Sequence, residues 1–388
     1  MKEQVTEQLQ LNKNTQLVSV ADLPEGKQLQ EALEDAAACL TQGGLVAFPT
    51  ETVYGLGADA LNDTAAKRIY EAKGRPSDNP LIVHIAKLED METLAYTNEM
   101  AYMLAQAFWP GPLTIILPKK EIVPDGTTGG LKTVAIRMPS HPAALELIRK
   151  SNVYVAAPSA NTSGRPSPTK AEHVIEDLWG KIEYIVDGGS VGIGIESTIV
   201  DVSEEVPTIL RPGFVTKAML EQIVGDVRID PALDKPMDGF RPKAPGMKYT
   251  HYAPKGELTL VEMEVKAILD EENDADGVLS ERQIVAQHIC TLAKEKKQQG
   301  YRVGIMASKG NMVCYENQAD VVICVGDNKE RSTIAAGLYG ALREFDAKEV
   351  DYIYAESFRG DGLSYAIMNR LLKAAGQRVI KIKESGKE

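Results

Sequence analysis

Short apolar runs alternate with amphipathic stretches along most of the chain, and this alternation predicts an α/β protein. The clearest helix spans residues 63–73, where Asn62 or Asp63 can cap the start and Gly74 can end it. We expect the first half to form an open twisted sheet with helices packed on it. The predicted strands are 45–48, 81–85, 113–117, 134–137, 153–157, 184–186 and 197–202, and the other predicted helices are 101–108, 143–149, 171–178 and 217–224.

The same alternation resumes in the second half and predicts a smaller, Rossmann-like α/β domain with a parallel sheet. The predicted strands are 258–263, 303–306, 321–325, 352–355 and 379–382, and the predicted helices are 281–297, 333–344 and 364–375. This half lacks a G-x-G-x-x-G turn after its first strand, and the chain contains no G-x-x-x-x-G-K-[ST] loop. The second domain is therefore not an obvious nucleotide site.

A proline-rich stretch with little periodicity separates the two halves. Its part from residue 241 to 255 is basic and contains no acid, although the whole chain carries a net charge of −12. A solubilising linker and a functional lid both fit this composition. The predicted organisation is an N-terminal extension at 1–27, a first α/β domain at 28–225, a basic linker at 226–256 and a second domain at 257–388.

Composition narrows the class of protein. A net charge of −12 and a pI of about 5.1 argue against a stand-alone nucleic-acid binder, whose affinity rests on neutralising phosphates. The four cysteines are scattered at positions 39, 290, 314 and 324, so they indicate neither a zinc site nor a disulfide framework. No apolar run is long enough to cross a bilayer, and the first residues lack a secretory core, so we expect a cytoplasmic protein.

Four polar segments in the first half are candidates for chemistry. The first, PTETVYGLG at residues 49–57, offers Thr50, Glu51 and Thr52 beside glycines that permit close backbone approach. In open α/β sheets, ligand sites collect beyond the carboxyl ends of strands. Taken alone, however, a tight turn into residues 58–61 explains this segment better.

The second segment, KGRPSDNPLIVHI at residues 73–85, places Lys73 and Arg75 at the end of the predicted helix. The helix dipole favours cations there, but the same cations would neutralise charge that develops in phosphoryl transfer. His84 lies inside the following apolar strand and faces away from its apolar neighbours. A lone histidine in a strand is more often a structural partner than a catalyst.

The third segment, APSANTSGRPSPT at residues 157–169, crowds hydroxyl and amide side chains into a loop that could present donors to an anion. An ordinary turn has the same composition. In the fourth, IESTIVDV at residues 195–202, Glu196 and Ser197 stand at the mouth of a strand. Arg211 follows in LRPG and could clamp a phosphate or pair with an acid. The spacing supports no Ser-His-Asp, Cys-His or HExxH arrangement.

Together and in this order, these segments resemble the YrdC-like domain of threonylcarbamoyl-AMP synthases. The resemblance covers about residues 28–225 and rests on PTETVYGLG, KGRPSDNPLIVHI, SANTSGRPSPT, IESTIVD and LRPG. The second half resembles the extra domain of the longer, two-domain form, through HYAP (251–254), LREFD (342–346) and GLSYAIMNRLLKAA (362–375). Ser364 stands where a glycine is expected in the last motif.

The resemblance implies a nucleotidyltransferase of tRNA modification. Threonine takes up bicarbonate to form a carbamate, and a carbamate oxygen attacks the α-phosphate of ATP. Pyrophosphate leaves, and the product is L-threonylcarbamoyladenylate. The implied cofactor is Mg²⁺ bound with ATP. The implied partner is a downstream tRNA threonylcarbamoyl transferase complex, which modifies the adenosine beside the anticodon; weak direct binding of tRNA stays open.

The resemblance also implies site residues, which we expect to form one cationic pocket at the rim of the first sheet. Lys73 and Arg75 are the expected catalytic cations, and no side chain is assigned to a metal. The expected ATP contacts are Lys73, Arg75, Asn79, Thr133, Ser159, Asn161, Ser167, Arg211 and, from the linker, Tyr252. The expected threonine contacts are Thr52, His84, Arg137, Ala157 through its backbone, and Ser197.

Three alternatives remain at this point. Hydrogenase-maturation proteins also contain a YrdC-like domain, but they join it to acylphosphatase-like and zinc-finger modules, for which this chain lacks the cysteine spacing and the length. An RNA-binding or ribosome-assembly role fits the domain type but not the acidic composition. Finally, the second domain could be regulatory or an assembly surface and carry no chemistry.

Overall fold

The computed structural model describes residues 15–233, 244, 251–264 and 281–383. The chain divides into two compact units, Met1–Tyr249 and Thr250–Glu388, and the division falls inside the predicted linker. The first 14 residues of the predicted N-terminal extension and most of the basic segment 241–255 lie outside the described residues. Among the described helices, none combines the length and the apolar run that a bilayer crossing requires.

The described strands of the first unit form one mixed sheet. They are β1 (Gln16–Ser19), β2 (Val46–Phe48), β3 (Gly55–Asp59), β4 (Ile82–His84), β5 (Leu113–Pro118), β6 (Thr133–Arg137), β7 (Val155–Ala157), β8 (Tyr184–Asp187), β9 (Thr198–Asp201), β10 (Thr208–Arg211) and β11 (Arg228–Ile229). Their order across the sheet is β1-β8-β2-β3-β7-β4-β6-β5-β9-β10-β11. In the centre, β4 runs parallel to β6 and antiparallel to β7, so the loops after β4 and β7 leave the sheet at opposite ends.

Helices cover the two faces of this sheet unequally. They are α1 (Lys27–Ala32), α2 (Glu34–Thr41), α3 (Asp63–Lys73), α4 (Asp90–Leu94), α5 (Glu99–Phe108), α6 (Asp125–Thr128), α7 (Pro142–Ser151), α8 (Ala171–Leu178) and α9 (Lys217–Val224). Apolar side chains of α3, α4, α5, α8 and α9 build the main core on one face. On the other face, α1, α2 and α7 pack against β2, β7 and β8. The remaining half of this face is formed by β4, β6, β5, β9 and β10, and its apolar residues form a smaller cluster that contains no helical residue.

Local signals fix α3 as the sequence predicts. The Asn62 side chain accepts hydrogen bonds from the backbone N–H groups of Thr64 and Ala65, at 3.1 and 3.2 Å. Gly74 ends the helix in the left-handed conformation, with φ of 60°, as a C-terminal glycine should. The helix therefore stops directly after Lys73 and places this side chain at its end.

The interpretation of PTETVYGLG as a turn is wrong in its second half, because Gly55–Asp59 is strand β3. A Cβ added to Gly57 would lie 2.7 Å from Val155 Cγ1 and 2.8 Å from Phe48 Cε1. Glycine is therefore needed here for close packing of a strand, although glycine weakens any sequence signal for one. The prediction also missed β1, β10 and β11, and β1 lies within the stretch predicted as an extension.

The second unit contains a parallel sheet, as predicted. Its strands are β12 (Glu257–Met263), β13 (Val303–Ser308), β14 (Val321–Gly326), β15 (Tyr352–Glu356) and β16 (Val379–Ile382), and its helices are α10 (Glu281–Gln298), α11 (Arg331–Ala347) and α12 (Leu363–Ala374). All neighbouring strands are parallel, in the order β14-β13-β15-β12-β16. This differs from the Rossmann order, because β15 separates β12 from β13. Strand periodicity carries no information about such an order.

Two glycines of α11 allow a matched test of packing in the second unit. A Cβ at Gly337 would lie 2.1 Å from the carbonyl oxygen of Val325, and no change of rotamer can relieve overlap with backbone. We therefore expect Gly337→Ala to lower the free energy of unfolding by about 2 kcal/mol or more, measured by urea unfolding of the full chain.

Gly340→Ala is the control, because a Cβ there meets nothing within 4 Å. Alanine favours a helix over glycine by up to about 1 kcal/mol, so this variant should be slightly more stable. Equal effects of the two substitutions would contradict the close contact at Gly337.

Candidate active site

The half-face formed by β4, β6, β5, β9 and β10 carries several of the predicted site residues. Its apolar floor consists of Ile82, Ile116, Ala135, Ile199 and Leu210. Ala244, from the predicted linker, is fully buried against this floor. Because side chains alternate along a strand, His84 of β4 and Thr133 and Arg137 of β6 share this face.

Lys73 lies beyond the amino end of β4. Its ammonium group donates to the backbone carbonyls of Ser159, at 2.5 Å, and of Asn161. These two residues follow β7, whose Ala157 is paired with Ile82 of the antiparallel β4. The Ser159 hydroxyl donates to Asn161 Oδ1 at 2.5 Å. The three predicted residues Lys73, Ser159 and Asn161 therefore form one hydrogen-bonded cluster.

Arg75 and Asn79 lie at the same end of β4. Arg75 Nη2 donates to the carbonyl oxygens of Asn79 and Pro80, at 3.4 and 3.2 Å. Asn79 is 1% exposed, and its Oδ1 has no hydrogen-bond partner among the described residues. A buried amide oxygen is costly unless a ligand or water satisfies it. Thr133, the first residue of β6, is also at this end, so this part of the site fits a polar ligand.

His84 and Arg137 are neighbours at the carboxyl ends of β4 and β6, where they pair in register. Arg137 forms a largely buried ion pair with Glu51, with 2.7 Å between Nη2 and Oε1. The second carboxylate oxygen of Glu51 accepts the backbone N–H of Ser140 at 3.1 Å. Burial, together with the nearby charge of Arg137, lowers the pKa of His84 to about 3. The imidazole is therefore neutral at neutral pH.

Ser197 and Arg211 lie at the same end of the sheet face as His84 and Arg137, that is, at the carboxyl ends of β4 and β6. Arg211 Nε donates to the Ser197 carbonyl at 3.0 Å, and its Nη2 donates to the Ser197 hydroxyl oxygen at 3.1 Å. The hydroxyls of Ser197 and Thr114 share a hydrogen bond of 2.8 Å. The Ser167 hydroxyl donates to the Glu196 carboxylate at 2.5 Å. Arg211 and Ser167, expected as ATP contacts, thus lie with or next to the expected threonine contacts.

Thr52 lies in the loop after β2 and is fully buried. Its hydroxyl shares a hydrogen bond of 2.8 Å with the Thr50 hydroxyl, and its carbonyl accepts the N–H of Gly194 at 3.1 Å. This loop also carries Glu51. It therefore places two adjacent residues, Glu51 and Thr52, near the carboxyl ends of β4 and β6.

Tyr252 belongs to the second unit. Its ring packs on Tyr339, with 5.1 Å between the ring centroids, and its backbone has a φ of 68°. Its role as an ATP contact stays a prediction. Of the basic residues in the predicted linker, Arg241, Lys243 and Lys248 lie outside the described residues.

The sequence interpretation placed the pocket at the rim of the sheet, whereas the structure spreads the residues along one face. Lys73 and Asn79 lie at the amino ends of β4 and β6, and His84 and Arg137 lie at their carboxyl ends. From Thr133 to Arg137 a strand rises by about 13 Å. The cause is the mixed sheet, because the antiparallel β7 delivers its loop to the amino end of β4.

Sequence reasoning missed two residues of the carboxyl end. Glu51 was noted as a polar group of its segment but received no role, although it is the only acid in PTETVYGLG. Thr114 was interpreted only as part of an apolar strand, although it is the one polar residue in the run LTIIL. Among the described residues, no group of three or more His, Cys, Asp or Glu side chains could hold a metal.

Comparisons with known proteins cover nearly the whole chain. A family model described as telomere recombination matches residues 38–213, and one described as threonylcarbamoyl-AMP synthase, C-terminal domain, matches residues 215–376. A threonylcarbamoyl-AMP synthase of Bacillus subtilis is 50% identical over 351 residues, which are 90% of this chain and 94% of that relative. The chain belongs to the threonylcarbamoyl-AMP synthase family.

Other members of the threonylcarbamoyl-AMP synthase family agree in sequence and structure. The synthase of Pyrococcus abyssi is 50% identical over 349 residues, covering 89% of this chain and 95% of that relative. The crystal structure of Pyrococcus abyssi Sua5 complexed with L-threonine matches with a TM-score of 0.83 at 46% identity, over 95% of this chain and 99% of that chain. These likenesses confirm the family and the α/β fold expected from the sequence.

Proposed function

We propose that this chain synthesises L-threonylcarbamoyladenylate from L-threonine, bicarbonate and ATP. The observation that carries the proposal is the arrangement on one sheet face of two polar sets, the Lys73 cluster at one end and the Arg137 group at the other. Family membership supplies the identity of the substrates. The polar sets supply the charges that such substrates need.

The two ends suit two anionic substrates. Lys73 and Arg75 provide positive charge for the triphosphate, and Ser159 and Asn161 provide polar groups next to Lys73. Arg137 can bind the threonine carboxylate with its planar guanidinium group. The separation of about 13 Å along β6 leaves room between the ends for the reacting carbamate and the α-phosphorus.

The chemistry takes place in two balanced steps. After the ammonium group of bound threonine loses its proton to solvent, the neutral amine and bicarbonate give a carbamate and water. A carbamate oxygen then attacks the α-phosphorus while the bond to the bridging oxygen of pyrophosphate breaks. Fixed cations offset the repulsion between carbamate and triphosphate and stabilise the leaving pyrophosphate. Neutral His84 adds no charge, so it can contribute only hydrogen bonding and shape at the threonine end.

Water must be kept away from the product, because an acyl adenylate is a mixed anhydride and hydrolyses readily. The apolar floor provides a dry surface between the two polar ends. Ala244, a residue of the predicted linker, is buried against this floor, which supports the proposed role of the linker as a lid.

Mg²⁺ fits this site as part of the ATP complex. It prefers phosphate oxygens and keeps several waters, so it would bind mainly through the phosphate oxygens at the Lys73 end. Bound there, Mg²⁺ would neutralise phosphate charge. The side chains of Lys73 and Arg75 would continue to hold the triphosphate.

The proposed role in the cell is tRNA modification in the cytoplasm. The adenylate would pass to a separate tRNA threonylcarbamoyl transferase complex. The net charge of −12 argues against strong direct binding of tRNA. In this proposal the second unit serves in regulation or assembly and carries no chemistry.

Mass spectrometry of the nucleotide products tests the proposal. With ATP, bicarbonate and threonine, we expect L-threonylcarbamoyladenylate and one pyrophosphate for each adenylate formed. Serine in competition should react more slowly, but a pocket for one extra methyl group discriminates by only about 10–200-fold. Adenylate formation without bicarbonate, or none with all three substrates, would contradict the function.

A further inference from the structure

The buried ion pair between Arg137 and Glu51 has no role in the function proposed above, which needs Arg137 for the threonine carboxylate. The two side chains are 5% and 14% exposed, and 2.7 Å separates Nη2 from Oε1. A buried guanidinium without a countercharge is strongly unfavourable. Glu51 therefore supplies the countercharge while no substrate is bound.

We propose that Glu51 is a specificity-determining residue that binds the α-ammonium group of the amino acid. When the substrate carboxylate replaces Glu51 on Arg137, Glu51 becomes available to the ammonium group. One internal ion pair is exchanged for two ion pairs with the ligand. This inference rests on the proposed function, because it assumes that an amino acid binds at Arg137.

Charge balance explains why such a pair selects a zwitterion. An amino acid brings one negative and one positive group, so neither Arg137 nor Glu51 is left buried without a partner. A simple carboxylate would pair with Arg137 and leave Glu51 as an uncompensated buried anion. The pair should therefore reject carboxylates that lack an ammonium group.

Two contacts hold the backbone of Glu51 and one of its carboxylate oxygens in place independently of Arg137. The backbone N–H of Ser140 donates to Oε2 at 3.1 Å, and the N–H of Ile193 donates to the Glu51 carbonyl at 2.9 Å. The next residue, Thr52, is one of the expected threonine contacts. Glu51 is therefore fixed at the threonine end even when Arg137 turns to a ligand.

A purely structural role makes a different prediction. If Glu51 only orients Arg137, its removal weakens every ligand that binds Arg137 through a carboxylate. If Glu51 binds the ammonium group, its removal weakens only ligands that carry that group. Two ligands separate these cases: L-threonine, and 3-hydroxybutanoate, which lacks the amine.

The test is calorimetric titration of the full chain with both ligands. In the unchanged protein we expect threonine to bind at least about 100-fold more tightly than 3-hydroxybutanoate. In Glu51→Gln we expect threonine to bind about 30-fold more weakly, as for loss of a charged hydrogen bond, and 3-hydroxybutanoate to bind no more weakly than before. Glu51→Asp, which keeps the charge, should recover part of the preference for threonine.

Controls separate the possible failures. Glu31→Gln removes an exposed carboxylate paired with Lys27 on α1 and should change neither affinity. Equal weakening of both ligands in Glu51→Gln would overturn the inference, as would equal binding of both ligands by the unchanged protein. Absence of threonine binding in the unchanged protein would count against the proposed function instead. Should Glu51→Gln not fold, the preference of the unchanged protein and of Glu51→Asp still decides.

Discussion

Replacing Lys73 with alanine is expected to reduce adenylate formation by on the order of 10³-fold. Lys73 is 2% exposed and lies at the end of the sheet face that the proposed function gives to the triphosphate. Negative charge develops on the leaving pyrophosphate as its bond to the α-phosphorus breaks. A fixed cation in a buried site stabilises that charge far more than it would in water. The rate of adenylate formation should therefore fall much more than the affinity for ATP.

Lys73 also holds two loop carbonyls, so the experiment must separate charge from loop position. Lys73→Met keeps most of the side-chain volume without the charge, and it should be as inactive as Lys73→Ala. Lys67→Ala is the matched control, because Lys67 is on the same helix with its side chain 64% exposed and paired with Asp63. It should keep near-normal activity. If Lys73→Met retained more than about a tenth of the activity, Lys73 would have no direct part in the reaction.

The parts of the fold that the sequence predicts are those with local signals. The predicted bounds 63–73, 171–178, 217–224 and 379–382 agree with α3, α8, α9 and β16, because capping residues and apolar spacing act within a few residues. Strand β3 was missed because the contacts that stabilise it come from residues distant in sequence. Gly57 is a glycine because Phe48 and Val155 pack against it, and those contacts come from elsewhere in the chain.

The site shows the same division between local and distant information. Ordered motifs predict Lys73, Asn161 and Arg137 as site residues, but not the end of the sheet face at which each lies. That depends on whether β7 runs parallel or antiparallel to β4, which no single segment encodes. Glu51 and Arg137 are 86 residues apart in sequence, so their ion pair appears only once the sheet is assembled.

Replacing Arg137 with glutamine is expected to damage both threonine binding and stability, for separable reasons. Loss of the guanidinium group should raise the KM for threonine by about 100-fold, with a much smaller effect on the KM for ATP. Leaving Glu51 buried without its partner should also lower the free energy of unfolding by about 3 kcal/mol. Arg137→Lys should recover little threonine binding, because an ammonium group cannot form the forked contact.

The double variant Arg137→Gln with Glu51→Gln distinguishes the two effects. It removes both charges, so it should regain most of the stability lost in Arg137→Gln, as measured by urea unfolding. It should regain none of the threonine affinity, because neither charge of the zwitterion then has a partner. Recovery of both properties together would show that Arg137 acts through folding alone. A near-normal KM for threonine in Arg137→Gln would show that the amino-acid carboxylate binds to other residues.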